Sequence, residues 1–145
     1  MPESGRVGRI SDGDTLRLED GRRIRLVQID APERRGECYG NAATEVLARL
    51  APVGSTIELE RDPVLDDLDR NQRLLRYVRV DGLDLNLELV RLGTAAPYFY
   101  RGARGERAEA LLVAAERART KRLGLWGACP AARLVPTRQV AAGPP

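Results

Sequence analysis

Residues 12–33 have the sequence DGDTLRLEDGRRIRLVQIDAPE, in which Asp-Gly pairs at 12–13 and 20–21 separate short stretches of partly alternating apolar and polar residues. Asp-Gly between such stretches is a strong signal for a turn between antiparallel strands. The segment predicts a hairpin turn at Asp20-Gly21. Together with the residues before it, it predicts three strands, over Val7–Ser11, Asp14–Glu19 and Arg22–Ile29. The third strand ends at Ala31-Pro32, because proline has no N–H to donate to a sheet.

The rest of the chain predicts a helix, two strands and two further helices. Four apolar residues at helical spacing indicate a helix that ends before Pro52: Ala43, Val46, Leu47 and Leu50. Two more strands are predicted over Thr56–Arg61 and Leu74–Val80. The remaining helices are predicted over Leu87–Leu92, with Asn86 as the N-cap, and from about Glu106 to Arg122.

Five strands with a helix between the third and the fourth predict an α+β fold. Its architecture is a five-stranded Greek-key β-barrel of the OB type with three α-helices. The 145 residues suit one domain, which we place at residues 1–129. Residues 130–145 are rich in Ala and Pro and lose all periodicity, so a disordered tail is predicted there. The apolar runs are far shorter than the roughly 20 residues of a membrane span, so no membrane association is expected.

The composition excludes several kinds of catalytic site. The chain has no histidine and only two cysteines, Cys38 and Cys129. It therefore lacks the residues for a histidine general base, a Ser/His/Asp triad or a zinc site built from histidine or thiolate ligands. Catalysis would have to use carboxylates, arginines, hydroxyls or a hard metal ion bound by oxygen. The net charge of +3 is consistent with an anionic partner, but solubility explains it equally well.

Five charged residues near predicted strand ends are candidates for chemistry: Asp14, Arg25, Asp30, Glu33 and Arg73. Taken singly, each has an ordinary explanation as a turn residue, a strand terminator or part of a solvated face. Together they supply complementary parts of one reaction. Two carboxylates can bind a hard cation with a carbonyl and waters, and a third can activate water. Two arginines can bind a phosphate, so the set predicts metal-assisted phosphodiester hydrolysis.

Several motifs resemble, in the same order, those of the staphylococcal nuclease (thermonuclease) family. They are DGDT at 12–15, IRLVQIDAPE at 24–33, YG at 39–40, Asp69 to Arg73, NLELVRLG at 86–93, YFY at 98–100 and LGLW at 123–126. The resemblance covers roughly residues 6–129. It implies the five-stranded OB barrel with three helices and a calcium-dependent nuclease that acts on DNA and RNA and leaves 3′-phosphate ends.

The resemblance also implies a role for each candidate residue. Asp14 and Asp30 correspond to the calcium carboxylates, and Ala31 to the residue that supplies a backbone carbonyl ligand. Glu33 corresponds to the proposed general base, and Arg25 and Arg73 to the two phosphate-binding arginines. A tyrosine pair corresponds to residues that line the nucleotide pocket: Tyr98 and Tyr100. Little sequence specificity and a monomeric state are expected.

Three departures from the family pattern bear on substrate binding. Asn71 stands near the position of a base-packing tyrosine, so weaker base stacking is expected. The loop after Glu33 is shorter than in the staphylococcal enzyme. Lys121 is the only lysine, so the positive charge offered to phosphate comes from arginine.

Cys38 and Cys129 are either free buried thiols or a disulfide. The resemblance favours the disulfide, because the family packs the start of the first helix against the end of the last one. A disulfide implies an oxidising compartment, so a secreted or periplasmic location is expected, with a cytoplasmic one as the alternative.

Two other functions remain open at this stage. The first is a non-catalytic nuclease-like module that binds nucleic acid, which is disfavoured because all five catalytic positions are filled. The second is a plain OB module for single strands, which would need exposed aromatic residues on strands that have almost none.

Overall fold

The computed structural model describes residues 3–145. The strands are β1 (Glu3–Asp12), β2 (Thr15–Leu18), β3 (Arg23–Leu26), β4 (Ile29–Asp30), β5 (Thr56–Glu60), β6 (Leu74–Val80), β7 (Leu83–Asp84) and β8 (Ala96–Pro97). The helices are α1 (Gly40–Leu50), α2 (Leu85–Arg91), α3 (Ala108–Thr120) and the single turn α4 (Leu125–Ala128). No helix within residues 3–145 is long and apolar enough to cross a membrane.

The closed barrel is formed by five of these strands: β1, β2, β3, β5 and β6. The sheet has the order β3-β2-β1-β5-β6-β7, and a parallel pairing of β3 with β6 joins its ends. In that pairing Ile24 lies opposite Leu74 and Arg25 opposite Leu75. Helix α1 packs on β1, and α2 packs between β6 and α3. The predicted α+β fold, a five-stranded OB-type barrel with three longer helices, is confirmed.

The barrel interior is filled by the apolar residues that alternate along the strands. In β5, for example, Ile57 and Leu59 are buried while the residues between them are exposed. The largest fully buried side chains of the strands are Leu16, Leu18, Ile24, Leu26, Ile29 and Ile57. Burial of such side chains is worth about 1.5–3 kcal/mol each. The packed interior therefore keeps the ends of the strands, where the candidate site lies, in fixed positions.

The third predicted strand is interrupted. Gln28 adopts a left-handed backbone conformation, with φ of 68°, and separates β3 from β4. Its side chain explains the interruption, because Nε2 donates to the Ala103 carbonyl at 3.0 Å and Oε1 accepts from the Gly105 N–H at 2.8 Å. The prediction of one strand over Arg22–Ile29 is therefore wrong at its end, and a bend there redirects the chain toward Asp30.

The N-cap predicted for α2 is also wrong. The cap is Asp84, whose Oδ1 accepts the Leu87 N–H at 3.2 Å. Asn86 is buried instead, where its Nδ2 donates to the Val27 carbonyl at 2.9 Å and its Oδ1 accepts from the Val78 N–H at 3.0 Å. Asn86 thus joins the helix to the barrel, which a capping residue at the surface does not do.

The end of the chain differs from the predicted disordered tail over residues 130–145. Val140 and Ala142 are buried in a second small apolar cluster with Leu125 and Cys129. The residues that they contact lie elsewhere in the sequence, so local periodicity does not predict their burial. The segment therefore belongs to the packed structure beside the candidate site.

Candidate active site

The barrel brings three of the candidate residues together at one end. Asp14 lies in the turn between β1 and β2, Arg25 in β3, and Asp30 in β4. Thr15 and Arg25 face each other in the β2–β3 pairing, which sets the side chain of Arg25 next to the turn. A Cβ added at Gly13 would lie 2.7 Å from the Cβ of Ala31. Glycine therefore allows the turn to approach the segment after Asp30.

Arg25 bridges the two aspartates. Its Nη2 lies 3.2 Å from Asp14 Oδ2 and 3.2 Å from Asp30 Oδ1. Its Nη1 donates to the carbonyls of Leu26 at 2.6 Å and Ile29 at 2.8 Å. All three charged side chains are buried. Arg25 is thus a paired and buried cation rather than part of a solvated face, and it neutralises part of the negative charge gathered here.

Asp14 is fixed by hydrogen bonds from its surroundings. The Ala31 N–H donates to Oδ2 and the Thr15 hydroxyl to Oδ1, both at 2.8 Å. Burial alone would raise the pKa of Asp14, but the Arg25 charge and these hydrogen bonds outweigh it and lower the pKa. Burial and the neighbouring Asp14 raise the pKa of Asp12 to about 7. The surroundings therefore favour the ionised form at Asp14 and disfavour it at Asp12.

Asp30 is the second buried carboxylate. Its Oδ2 accepts a hydrogen bond of 2.8 Å from the main-chain N–H of Val140. Burial and the negative charge of Asp14 raise the pKa of Asp30 to about 7, against the lowering effect of Arg25. Arg25 therefore only partly offsets the burial of Asp30 and its repulsion by Asp14.

Glu33 is exposed and follows Asp30 by three residues. Its main-chain N–H donates to Glu37 Oε1 at 2.7 Å. Its negative charge is near enough to Asp30 to contribute to the raised pKa of that carboxyl. The side chain is thus near the buried cluster and open to solvent.

Arg73 lines a groove that Arg25 also lines. The groove has a volume of about 490 Å³, and its wall includes Asn71, Tyr98 and Tyr100. Asp69 orients Arg73, with Nε 2.7 Å from Asp69 Oδ2. The structure thus brings Arg25, Arg73 and both tyrosines to one groove. Asp14, Asp30 and Ala31 are not among its lining residues, and the two aspartates connect to it through their ion pairs with Arg25.

The two tyrosines differ in their surroundings. Their rings are 6.4 Å apart and edge to face, and the intervening Phe99 is buried. The guanidinium carbons of Arg101 and Arg70 lie 5.3 and 6.0 Å from the centre of the Tyr100 ring. Such cation–π contacts hold positive charge at the groove.

A metal ion is implied by the sequence resemblance, and the donor set fits one. The carboxylates of Asp14 and Asp30 and the carbonyl of Ala31 are hard oxygen donors of the kind that Ca²⁺ prefers. Over residues 3–145 no group of three His, Cys, Asp or Glu side chains is arranged to hold a metal. Two carboxylates and a carbonyl would therefore need water or substrate oxygens to complete the coordination.

Cys38 and Cys129 form the disulfide that the resemblance favoured. Their Cα atoms are 5.9 Å apart, and the bond spans 91 residues. It ties the loop before α1 to the end of α4. Cys38 also donates its main-chain N–H to the Gly143 carbonyl at 2.8 Å, so the disulfide lies next to the end of the chain.

Sequence reasoning missed several groups around the site. The ion pair of Asp69 with Arg73 was not predicted, although their short spacing in the sequence is a usable signal for one. Arg101 and Gln139 also line the groove. The Val140 N–H leaves no trace in the sequence, because any residue except proline supplies it.

The fold and the site together define a class of protein: an OB-type barrel that gathers buried carboxylates beside a groove lined by arginines and tyrosines. A family model described as staphylococcal nuclease homologue matches residues 23–128. The chain belongs to this family. The match includes every candidate residue except Asp14, which precedes it, and Cys129, which follows it.

Three related proteins are similar to this chain, and two of them have names that agree with a nuclease family. An "Uncharacterized endonuclease" of Escherichia coli O157:H7 is 36% identical over 126 residues, which cover 84% of this chain and 76% of that protein. An "Uncharacterized endonuclease" of Haemophilus influenzae is 35% identical over 125 residues, covering 83% and 65%. A "Protein ParB" of Escherichia coli is 33% identical over 136 residues, covering 84% and 71%.

Proposed function

We propose that this protein is a calcium-dependent nuclease that hydrolyses phosphodiester bonds of DNA and RNA and leaves 3′-phosphate ends. The observation that carries the proposal is the bridge from Arg25 to Asp14 and Asp30, at 3.2 Å to each carboxylate. In this proposal Arg25 binds the phosphate, and the two carboxylates beside it would bind the metal ion. The family and the endonuclease names of two relatives support the same activity.

Asp14, Asp30 and the Ala31 carbonyl would hold the ion, which when bound supplies positive charge to the oxygens of the phosphate. Glu33 takes a proton from a water molecule, and the water oxygen forms a bond to phosphorus. The bond from phosphorus to the 5′ oxygen breaks, and that oxygen takes a proton from solvent water as it leaves. Arg25 and Arg73 donate hydrogen bonds to the phosphate oxygens as charge builds on them.

The groove favours the phosphate backbone over the bases. Arg25, Arg70, Arg73 and Arg101 line it, whereas Asn71 stands where a ring for base stacking is expected. Contacts to phosphate carry no sequence information. We therefore expect cleavage of DNA and RNA with little sequence specificity.

A digestion of supercoiled plasmid tests the proposal. We expect nicking and linearisation with Ca²⁺, no cleavage with chelator, and little with Mg²⁺, which demands a tighter octahedral shell than two carboxylates and a carbonyl offer. Glu33→Gln should lower turnover about 10²–10⁴-fold, the usual worth of a general base. Glu45→Gln, an exposed change on α1, is the matched control and should cleave like the wild type.

Two outcomes would contradict the proposal. Equal cleavage rates with Mg²⁺ alone and with Ca²⁺ would contradict the proposed calcium dependence. Binding of DNA without cleavage in any metal would favour the alternative, a nuclease-like module that binds nucleic acid without hydrolysing it.

The disulfide supports a location in an oxidising compartment, secreted or periplasmic, since such bonds are rare in the cytosol. Titration of free thiols in protein extracted from its native source under alkylating conditions tests this. Two reactive thiols would favour the cytoplasmic alternative. A monomer is expected, and size-exclusion chromatography with light scattering checks it.

A further inference from the structure

Residues 136–143, here called the C-terminal strap, begin with a turn at 136–138, contain no helix or strand, and are held at both ends. At its start the Pro136 carbonyl accepts a hydrogen bond of 2.7 Å from the Phe99 N–H. At its end the Gly143 carbonyl accepts one of 2.8 Å from the Cys38 N–H. The strap therefore runs from the tyrosine segment of the groove to the disulfide.

The middle of the strap contacts a carboxylate of the candidate site. The Val140 N–H donates to Asp30 Oδ2 at 2.8 Å, across 110 positions of sequence. Both residues are 7% exposed, so the bond is shielded from water. Two residues further on, the Ala142 N–H donates to Glu37 Oε2 at 3.2 Å.

This contact fixes the orientation of the Asp30 carboxylate. With Oδ2 bound to a main-chain donor, rotation of the carboxylate is restricted, and Oδ1 remains directed at Arg25 Nη2. Donors that restrain a ligand in this way hold it in the geometry that a metal requires, and their loss typically costs 10–100-fold in affinity or activity. A main-chain donor is itself rigid only when its segment is anchored.

The anchoring of the strap is extensive for so short a segment. Val140 and Ala142 are buried in the apolar cluster that contains Leu125 and Cys129. The disulfide joins Cys129, which precedes the strap, to Cys38, which binds its end. The strap is thus fixed by side-chain burial, by hydrogen bonds at both ends and by a covalent bond nearby.

We propose that the C-terminal strap is a positioning element of the active site, in which the main-chain N–H of Val140 holds the Asp30 carboxylate in its ligand orientation. The effect on Ca²⁺ and on turnover rests on the proposed function, whereas the orientation of Asp30 does not. The strap supports the site and does not obstruct it, because the groove beside it remains open with Gln139 in its wall.

The test compares three variants of the full chain. Val140→Pro removes the N–H, Val140→Ala keeps the N–H and shortens the side chain, and Ala141→Pro places proline at an exposed neighbour. Calorimetric titration of Ca²⁺ into the protein without nucleic acid should show a dissociation constant raised about 10–100-fold in Val140→Pro only. The same variant should lower kcat by a larger factor than it changes KM. Both controls should have kcat and KM values close to those of the wild type.

A second readout does not depend on the metal. The ¹³C carboxyl resonance of Asp30 should shift in Val140→Pro and stay in place in Ala141→Pro. In the wild type the Val140 amide should exchange with deuterium far more slowly than that of Ala141, which checks the bond even if Val140→Pro fails to fold. Fast exchange at Val140, an unmoved resonance, or tighter Ca²⁺ binding and faster cleavage in Val140→Pro would overturn the proposal. If the wild type binds no Ca²⁺ while the resonance shifts as expected, the proposed function fails and the positioning role stands.

Discussion

The guanidinium of Arg73 is held by the carboxylate of Asp69, with Nε and Oδ2 2.7 Å apart. Oδ1 of the same carboxylate accepts the main-chain N–H groups of Asn71 at 2.8 Å and Arg73 at 3.0 Å. Burial raises the pKa of Asp69, but these hydrogen bonds outweigh it and lower the pKa. Asp69 thus orients both the loop and the arginine at its end.

Asp69→Asn should therefore lower kcat/KM about 10-fold, since a hydrogen bond to a charged group is worth about 1.5–3 kcal/mol. The loss follows from an arginine that is no longer held toward the groove. Steady-state cleavage of a short labelled duplex measures it. Asp81→Asn, an exposed change outside the groove, should have no effect. A rise in kcat/KM for Asp69→Asn would show that Asp69 competes with phosphate for Arg73.

Arg25→Lys should lower turnover about 10²–10³-fold, the usual cost of removing a donor that stabilises transition-state charge. A lysine ammonium is a compact point charge, whereas Arg25 uses two nitrogens to reach two carboxylates and two carbonyls. Because the side chain is buried, the variant should also unfold at a lower urea concentration. Arg17→Lys, on the exposed face of β2, is the matched control. Wild-type turnover in Arg25→Lys would show that contacts through two guanidinium nitrogens are not needed for cleavage.

Loss of the disulfide should destabilise the protein. For a bond that spans 91 residues, the chain-entropy estimate is about 4–5 kcal/mol, and measured bonds commonly deliver about 2–4 kcal/mol. The double variant Cys38→Ser with Cys129→Ser should therefore show a lower urea midpoint than the oxidised wild type. Added reductant should lower the midpoint of the wild type and leave that of the double variant unchanged. Equal midpoints for all of these samples would mean that the bond contributes nothing.

Asp62 should make a pH-dependent contribution to stability. It accepts hydrogen bonds from the Tyr77 hydroxyl at 2.5 Å and the Glu106 N–H at 2.8 Å. Burial raises the pKa of Asp62, but these bonds outweigh it and hold the pKa below 3.8. A depressed carboxyl pKa stabilises the folded state above the unfolded value, and this contribution is lost as the pH falls through the folded value.

Asp62→Asn should therefore cost about 1–3 kcal/mol at pH 7, the penalty for leaving buried partners unsatisfied. The difference from the wild type should shrink below about pH 4. Urea unfolding at a series of pH values measures both quantities. Asp81→Asn, at an exposed turn position, should track the wild type. A constant difference from pH 7 to pH 2 would show that ionisation of Asp62 is not involved.

Local sequence patterns predicted most of the fold. Asp20-Gly21 marked the hairpin turn, where Gly21 has φ of 94° and Asp20 accepts the Arg22 N–H. The helical spacing from Ala43 to Leu50 marked α1 correctly. These features depend on backbone conformation and on one apolar face, which neighbouring residues in the sequence determine.

The features that sequence did not predict depend on distant partners. Gln28 bends the third strand because its side chain binds Ala103 and Gly105, more than 70 residues away. The strap is ordered by Asp30 and Cys38, which lie about 100 residues earlier in the chain. Neither contact leaves a periodic signal, so only the folded structure reveals them. The roles of the site residues remain predictions until the variants are measured.

The parallel pairing of β3 with β6, which places Arg25 opposite Leu75, has a consequence for folding. These residues are separated by 50 positions along the chain, so the strands meet only after a long loop has lost its freedom. Arg25 and Arg73 come to one groove through that same event. A chain that has formed its hairpins and helices but has not joined β3 to β6 has no assembled phosphate site. Newly synthesised protein should therefore stay inactive toward nucleic acid until its barrel is complete.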